Sequence, residues 1–138
     1  MSFLPGWKVA NIDKSNYGVS NYVLRINATD GNLGSFYATE PFPAAAQVKW
    51  EALQVRFHYP SEHTIDGVQF ALEMQITLDD TKKLCSYCTS HLGAFSVFFE
   101  VSDDDAESDF WSWTNEMTAG TNLTSFDLNN IFDKNTAI

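Results

Sequence analysis

Residues 55 to 76 read VRFHYPSEHTIDGVQFALEMQI, and six side chains in this stretch could do chemistry: Arg56, His58, Glu62, His63, Glu73 and Gln75. Two residues at i and i+2 on one face of a strand, joined by one from a neighbouring strand, converge on a point above a sheet. That is the arrangement a three-ligand zinc centre needs. Arg56, His58 and Gln75 offer it, yet only His58 is a competent ligand. A guanidinium is permanently charged and has no electron pair for a cation, and a carboxamide is a poor zinc ligand. No bound metal or other cofactor is therefore expected at these positions. Without a metal, nothing lowers the pKa of a water from about 15.7 to about 7, and a hydroxide nucleophile is missing at neutral pH.

Other chemistries find less support. Ser61, Glu62 and His63 are consecutive, so their side chains splay instead of forming a nucleophile–base–orienter relay, and no Gly-x-Ser-x-Gly elbow or Gly-rich phosphate loop occurs. The CSYC motif (Cys85, Cys88) has too few partners to close a structural zinc site, and no βαβ unit surrounds it as a redox pair would require. Two buried or locally bridged thiols are the preferred reading. The run SDDDAESD lacks the glycine and closing glutamate of a calcium loop, and His91, in a turn-like TSH, has no assignable role.

The elements that must position the six residues are strands. In WEALQVRFHY, Leu53, Val55, Phe57 and Tyr59 alternate with Gln54, Arg56 and His58. Downstream, Val68, Phe70, Leu72, Met74 and Ile76 alternate with Gln69, Ala71, Glu73, Gln75 and Thr77. As neighbours, the two strands would present their polar faces the same way. NYVLRINAT puts Tyr22, Leu24 and Ile26 on one face, and GSFYATE can pair with it after the turn residues TDGNLG. AFSVFFEV is apolar on both faces and is placed at the sheet centre. After it, Ser102 or an adjacent aspartate caps an expected helix that Phe110, Trp111 and Trp113 would anchor to the sheet.

At 138 residues, with 44% hydrophobic and 14% aromatic content, the chain is one domain, 1–138, able to bury roughly two-thirds of its unfolded surface. Eight basic against 18 acidic residues give a formal charge of −10, which disfavours nucleic acid and anionic membrane surfaces. No apolar run approaches the roughly 18 to 20 residues of a membrane span, and the start MSFLPGWKVANIDK lacks a signal peptide's basic and apolar regions. Either the mature chain begins near here or the protein is not exported. Sequons at Asn27 and Asn122 tilt the compartment slightly towards the extracellular space or cell surface, with an organelle as the alternative.

RFHYPSEHTIDGVQFALEMQ resembles the metal-binding core of the alpha-type carbonic anhydrases, whose pattern runs His-Phe-His-x-Pro-Ser-Glu-His-Thr-Ile-Asp-Gly and then, after about six residues, Glu-x-His. Pro60, Ser61, Glu62, His63, Thr64, Asp66, Gly67 and Glu73 match in spacing. NYGVS near residue 18 and HLGAFSVFFEVSDDDAESDF extend the similarity. The resemblance implies a mainly β fold with a short helix, built on an antiparallel-rich central sheet like that family's core but truncated. The later segment with the gatekeeper threonine and the Thr-Thr-Pro-Pro-Cys loop has no counterpart before Ile138.

By this resemblance the three zinc ligands fall on Arg56, His58 and Gln75, and the proton-shuttling histidine falls on Val19. Glu62 matches the acid that orients the gatekeeper, Glu73 the supporting acid behind the third ligand, and His63 a structural histidine. Arg56 is expected to place its charge near the vacated zinc position and to pair with Glu73 or Glu62, with Gln75 satisfying leftover hydrogen bonds. The resulting expectation is a catalytically silent member of the family acting as a structural or protein-interaction module. A half-length fold would expose a sheet edge, so self-assembly, protein partners or a longer parent chain are implied. The alternatives are an enzyme of altered activity and a small-anion binder using the former cavity, floored by Gln54, Arg56, His58, Gln69 and Gln75.

Overall fold

The computed structural model describes residues 3–7, 9–13, 17–20, 23–27, 33–39, 47–80, 91–103, 111, 114 and 123–131. Its strands are β1 (Phe3–Trp7), β2 (Val9–Asp13), β3 (Tyr17–Ser20), β4 (Val23–Asn27), β5 (Gly34–Thr39), β6 (Gln47–His58), β7 (Thr64–Ile65), β8 (Val68–Gln69), β9 (Leu72–Asp79), β10 (Leu92–Phe99) and β11 (Leu123–Asp127). A 3-10 turn, Leu128–Asn130, follows, opened by Asp127, whose carboxylate accepts from the Asn129 backbone N–H at 2.8 Å. No helix among the described residues is long and apolar enough to cross a membrane.

The twelve-residue β6 organises a seven-stranded, antiparallel sheet. Along one edge its first half pairs with β5 and its second half with β4; the other edge pairs with β9, which in turn pairs with β10. Strands β1 and β3 flank β5 and β4. The Leu33 backbone N–H donates to the Ala52 carbonyl at 2.7 Å, bridging the interval between the two halves of that edge.

One face of this sheet is the core. Leu24, Ile26, Val55, Phe57, Met74, Ile76, Phe95 and Val97 meet there, and Phe126 and Leu128 close over them from the small β2–β11 sheet and its 3-10 turn. Burying a side chain of this size stabilises by roughly 1.5–3 kcal/mol, so the alternation itself drives the pairing. Phe57 lies 5.6 Å from the Trp111 ring and edge-on to Phe126 at 6.5 Å, and Phe99 meets Trp111 at 5.3 Å. The expected anchoring of Trp111 to the sheet is present. The helix read over the residues after Ser102, together with Phe110 and Trp113, lies outside the described residues, as do Cys85, Cys88 and Asn122.

Four expectations are corrected. NYVLRINAT and GSFYATE do not pair as a hairpin: β4 pairs with β3 and β6, and β5 with β1 and β6, because each takes a different half of the long β6. The pairing of β6 with β9 shifts register between Ala52 and Gln54, a bulge that gives one strand an extra residue and reverses its inside–outside phase. Val48 and Ala52 are therefore buried before it and Val55 and Phe57 after it, while Leu53 is only half-buried. The alternation read as one strand from Val68 to Thr77 is two elements. Thr64–Ile65 and Val68–Gln69 form a hairpin whose turn residues Asp66 (φ 51°) and Gly67 (φ 78°) both take the left-handed conformation that two-residue hairpins favour. β9 begins afresh at Leu72. Finally, β10 pairs with β9 alone among the described strands, instead of sitting at the sheet centre.

Candidate functional site

Directly opposed residues on antiparallel strands share a face, so register places the chemistry. On the face away from the core, β4, β6, β9 and β10 form three rows: His58, Glu73 and Phe98; Arg25, Arg56, Gln75 and Ser96; Asn27, Gln54, Thr77 and Ala94. The sequence-predicted residues Arg56, His58, Glu73 and Gln75 are thus brought together, with Glu62 and His63 on the loop that leaves β6. Val19 is registered against Leu24, one row away from the arginines.

Glu73 is the centre of this face. It is fully buried, and its carboxylate accepts five hydrogen bonds. The backbone N–H groups of Glu62 and His63 donate to Oε2 at 2.9 and 3.0 Å. Ser96 Oγ at 2.8 Å, Gln75 Nε2 at 3.1 Å and the His63 ring at 2.7 Å meet Oε1. Burial alone would raise its pKa, but the His63 backbone N–H, the Ser96 hydroxyl and the His63 and Gln75 side chains outweigh that and hold it at about 2. An ionised carboxylate can only accept, so His63 presents Nδ1–H to it.

The loop itself is stitched to β8 by Ser61, which is buried. Its backbone N–H donates to the Phe70 carbonyl, its hydroxyl accepts from the Phe70 N–H at 2.9 Å and donates to the His63 carbonyl, and Gln69 Nε2 donates to its carbonyl at 2.7 Å.

Gln75 spends both amide hydrogens on acids: Nε2 donates to Glu62 Oε2 at 2.9 Å and to Glu73. The orientation is dictated by chemistry, because an amide oxygen turned to either carboxylate would find no proton. The expected pairing of Arg56 with Glu73 or Glu62 is not formed. Arg56 Nε donates to Gln54 Oε1 at 2.6 Å, Gln54 donates onward to Asn27 Oδ1, and among the described residues Arg56 makes no ion pair. Glu73 is already filled by five donors, and Glu62 meets Gln75 at one oxygen and His58 at the other. Gln75, expected only to satisfy leftover hydrogen bonds, takes the two acids that Arg56 was expected to pair with. His58 places Nδ1 3.3 Å from Glu62 Oε1, and its buried Nε2 has no partner among the described residues.

Zinc does not fit these side chains. Arg56 brings a charge and no electron pair, Gln75 directs its protons at the two acids, and one imidazole remains. Among the described residues no group of three His, Cys, Asp or Glu is placed to hold a metal ion.

Ser96 and Arg25 were not anticipated as site residues. Ser96 is the one polar residue in AFSVFF, and Arg25 interrupts Leu24 and Ile26 in β4; each isolated polar residue marks the non-core face. Only pairing to β9 and β6 reveals what they meet.

The family model for eukaryotic-type carbonic anhydrase matches residues 13–137. No curated protein sequence matches the chain significantly. Among solved structures the chain is similar to dioscorin complexed with ascorbate, with 17% identity, a TM-score of 0.66 and coverage of 94% of this chain and 49% of that one. It is also similar to the alpha carbonic anhydrase of the fungus Aspergillus oryzae (16%, 0.62, covering 91% and 47%) and that of Photobacterium profundum (14%, 0.62, covering 96% and 54%). The chain spans about half the length of each, and at these identities the likeness establishes the fold.

Proposed function

The chain belongs to the eukaryotic-type carbonic anhydrase family, and from that premise we propose that it is a catalytically silent member, acting as a structural or protein-interaction module within a larger assembly. The observation that carries the first half is the Gln75 amide, which donates to Glu62 and Glu73 where the resemblance puts a zinc-ligating histidine. With Arg56 at the first ligand position, His58 is left as a lone imidazole, and one imidazole does not hold zinc against water. No metal-bound hydroxide forms, and carbon dioxide hydration has no nucleophile.

The second half draws support from exposed apolar surface. Ile65 and Val68 oppose each other on the β7–β8 hairpin at 50% and 59% exposure, and Leu92 and Val101 stand out at 62% and 84% near the two ends of β10. Apolar side chains paired on an exposed hairpin suit a protein partner or a further copy of the chain.

The test is metal content with carbon dioxide hydration, on the native protein and on a variant carrying Arg56→His and Gln75→His. The native chain should show neither stoichiometric zinc nor activity, and the double variant should take up zinc at the restored three-histidine site. One zinc per native chain, or hydration above the buffer rate, would sink the silent reading. Native mass spectrometry of protein from its natural source addresses the assembly: a heavier complex supports the module, and an isolated 15.5 kDa monomer refutes it.

A further inference from the structure

The chain has two arginines, Arg25 and Arg56, and they are cross-strand partners on the same face of the sheet. Like charges directly opposed on adjacent strands destabilise a sheet unless something neutralises them. With 18 acidic residues against eight basic ones, an acidic neighbour for each is the default, and neither has one among the described residues. Their row continues as Gln75 and Ser96, both uncharged. The nearby acids are engaged elsewhere: Glu73 is saturated, and Glu62 accepts from Gln75.

Arg25 is exposed, and Arg56 is half-buried with its Nε committed to Gln54 and its terminal amino groups unbonded among the described residues. Two residues along β6, on the same face, His58 keeps a side chain that is 10% exposed with Nε2 unpartnered among the described residues. A buried polar atom of this kind is satisfied by water or by a ligand.

We propose that Arg25 and Arg56 form a binding site for a small carboxylate anion on the polar face of the sheet, with His58 at its floor. A planar guanidinium offers paired N–H donors that match a carboxylate, and the register of β4 with β6 puts two of them on one face of the sheet. A water held between His58 Nε2 and the anion donates one proton to each, so the orphaned nitrogen is satisfied without a change of charge. The inference rests on the zinc-free reading of the same face, because a zinc ion on His58 would occupy Nε2 and repel both guanidiniums.

The probe is malonate, titrated at constant ionic strength against the 15N-labelled chain. Two arginines give two Nε–Hε resonances, assigned by Arg25→Gln and Arg56→Gln. Both should move saturably, and each single substitution should weaken binding by on the order of tenfold. Arg25→Lys, which keeps the charge and loses the fork, should also weaken it. Arg25 is exposed, so its variants keep the fold, and the backbone amide spectrum verifies this for Arg56→Gln. Resonances that drift linearly with malonate, as with chloride, or an affinity indifferent to Arg25→Gln, overturn the proposal. Zinc measured on the same sample separates the two failures: a zinc-loaded chain sinks the zinc-free reading, and a zinc-free chain without saturable shifts sinks the anion site alone.

Discussion

Replacing Glu73 with glutamine tests whether this buried carboxylate holds the site face together. Glu73 has no solvent exposure, and its five donors come from the loop after β6, from β9 and from β10. A carboxyl that titrates at about 2 in the folded chain and at its ordinary 4.5 when unfolded contributes about 3 kcal/mol at neutral pH. Because the folded value is the lower one, that stability is fully present above about pH 5 and is lost as the pH falls through the unfolded value towards about 2. Glutamine keeps the shape and loses the charge. Its oxygen can serve the two backbone N–H groups, and Ser96 and the His63 ring can turn to accept from its amide. The Gln75 amide is then left facing another N–H. The expected cost is about 2–3 kcal/mol at about pH 7, as charge-assisted bonds become neutral ones and one donor loses its acceptor. Urea denaturation of both proteins from about pH 7 to about pH 3 provides the assay, since other carboxylates cancel in the difference. The gap should shrink as the pH falls. A loss under about 1 kcal/mol at neutral pH, or a gap constant with pH, would refute the reasoning.

Two further substitutions probe the neighbouring elements. Arg56→Met should change stability by about 1 kcal/mol or less in urea denaturation, because it removes one bond to Gln54 and also relieves the opposition to Arg25; a loss on the order of 3 kcal/mol would show a buried ion pair after all. Gly67→Ala should cost about 1 kcal/mol from backbone conformation alone, since φ is 78° and an added Cβ meets nothing within 4 Å. Gly67→Asn should cost less, and equal urea midpoints for the alanine variant and the native chain would count against the left-handed turn.

Period-two alternation makes the core face legible in the sequence. Leu24 and Ile26, Val55 and Phe57, and Met74 and Ile76 do line one side of the sheet, and the polar residues between them do share the other. Alternation read as one run through Leu53 did not reveal the bulge, although the adjacent apolar Ala52 and Leu53, where apolar positions pass from 48, 50 and 52 to 53, 55 and 57, mark the change of phase. Nor could it show that the Asp66–Gly67 turn detaches Val68 and Gln69 from β9, since a two-residue hairpin preserves the same period. The β2–β11 pairing joins residues more than 100 positions apart, and nothing local encodes it. At the site, the resemblance supplied which residues converge, but hydrogen-bond partners depend on competition. Gln75 reaches both acids from within their own cluster, and Arg56 is left to Gln54.

That competition bears on how the supporting acids are understood. In an active member of the family, an acid at the Glu73 position would be explained by the ligand behind which it sits. Here Glu73 holds the Glu62 and His63 backbone against β9 and reaches across to Ser96 on β10. Each of those bonds serves the fold whether or not a metal lies nearby. Such an acid is therefore weak grounds for inferring a metal, and its presence beside Arg56 and Gln75 is no contradiction. The direction of causation runs from the sheet to the site: a carboxylate buried to pin a loop also orders the Gln75 amide, the side chain on which the proposed zinc-free reading rests.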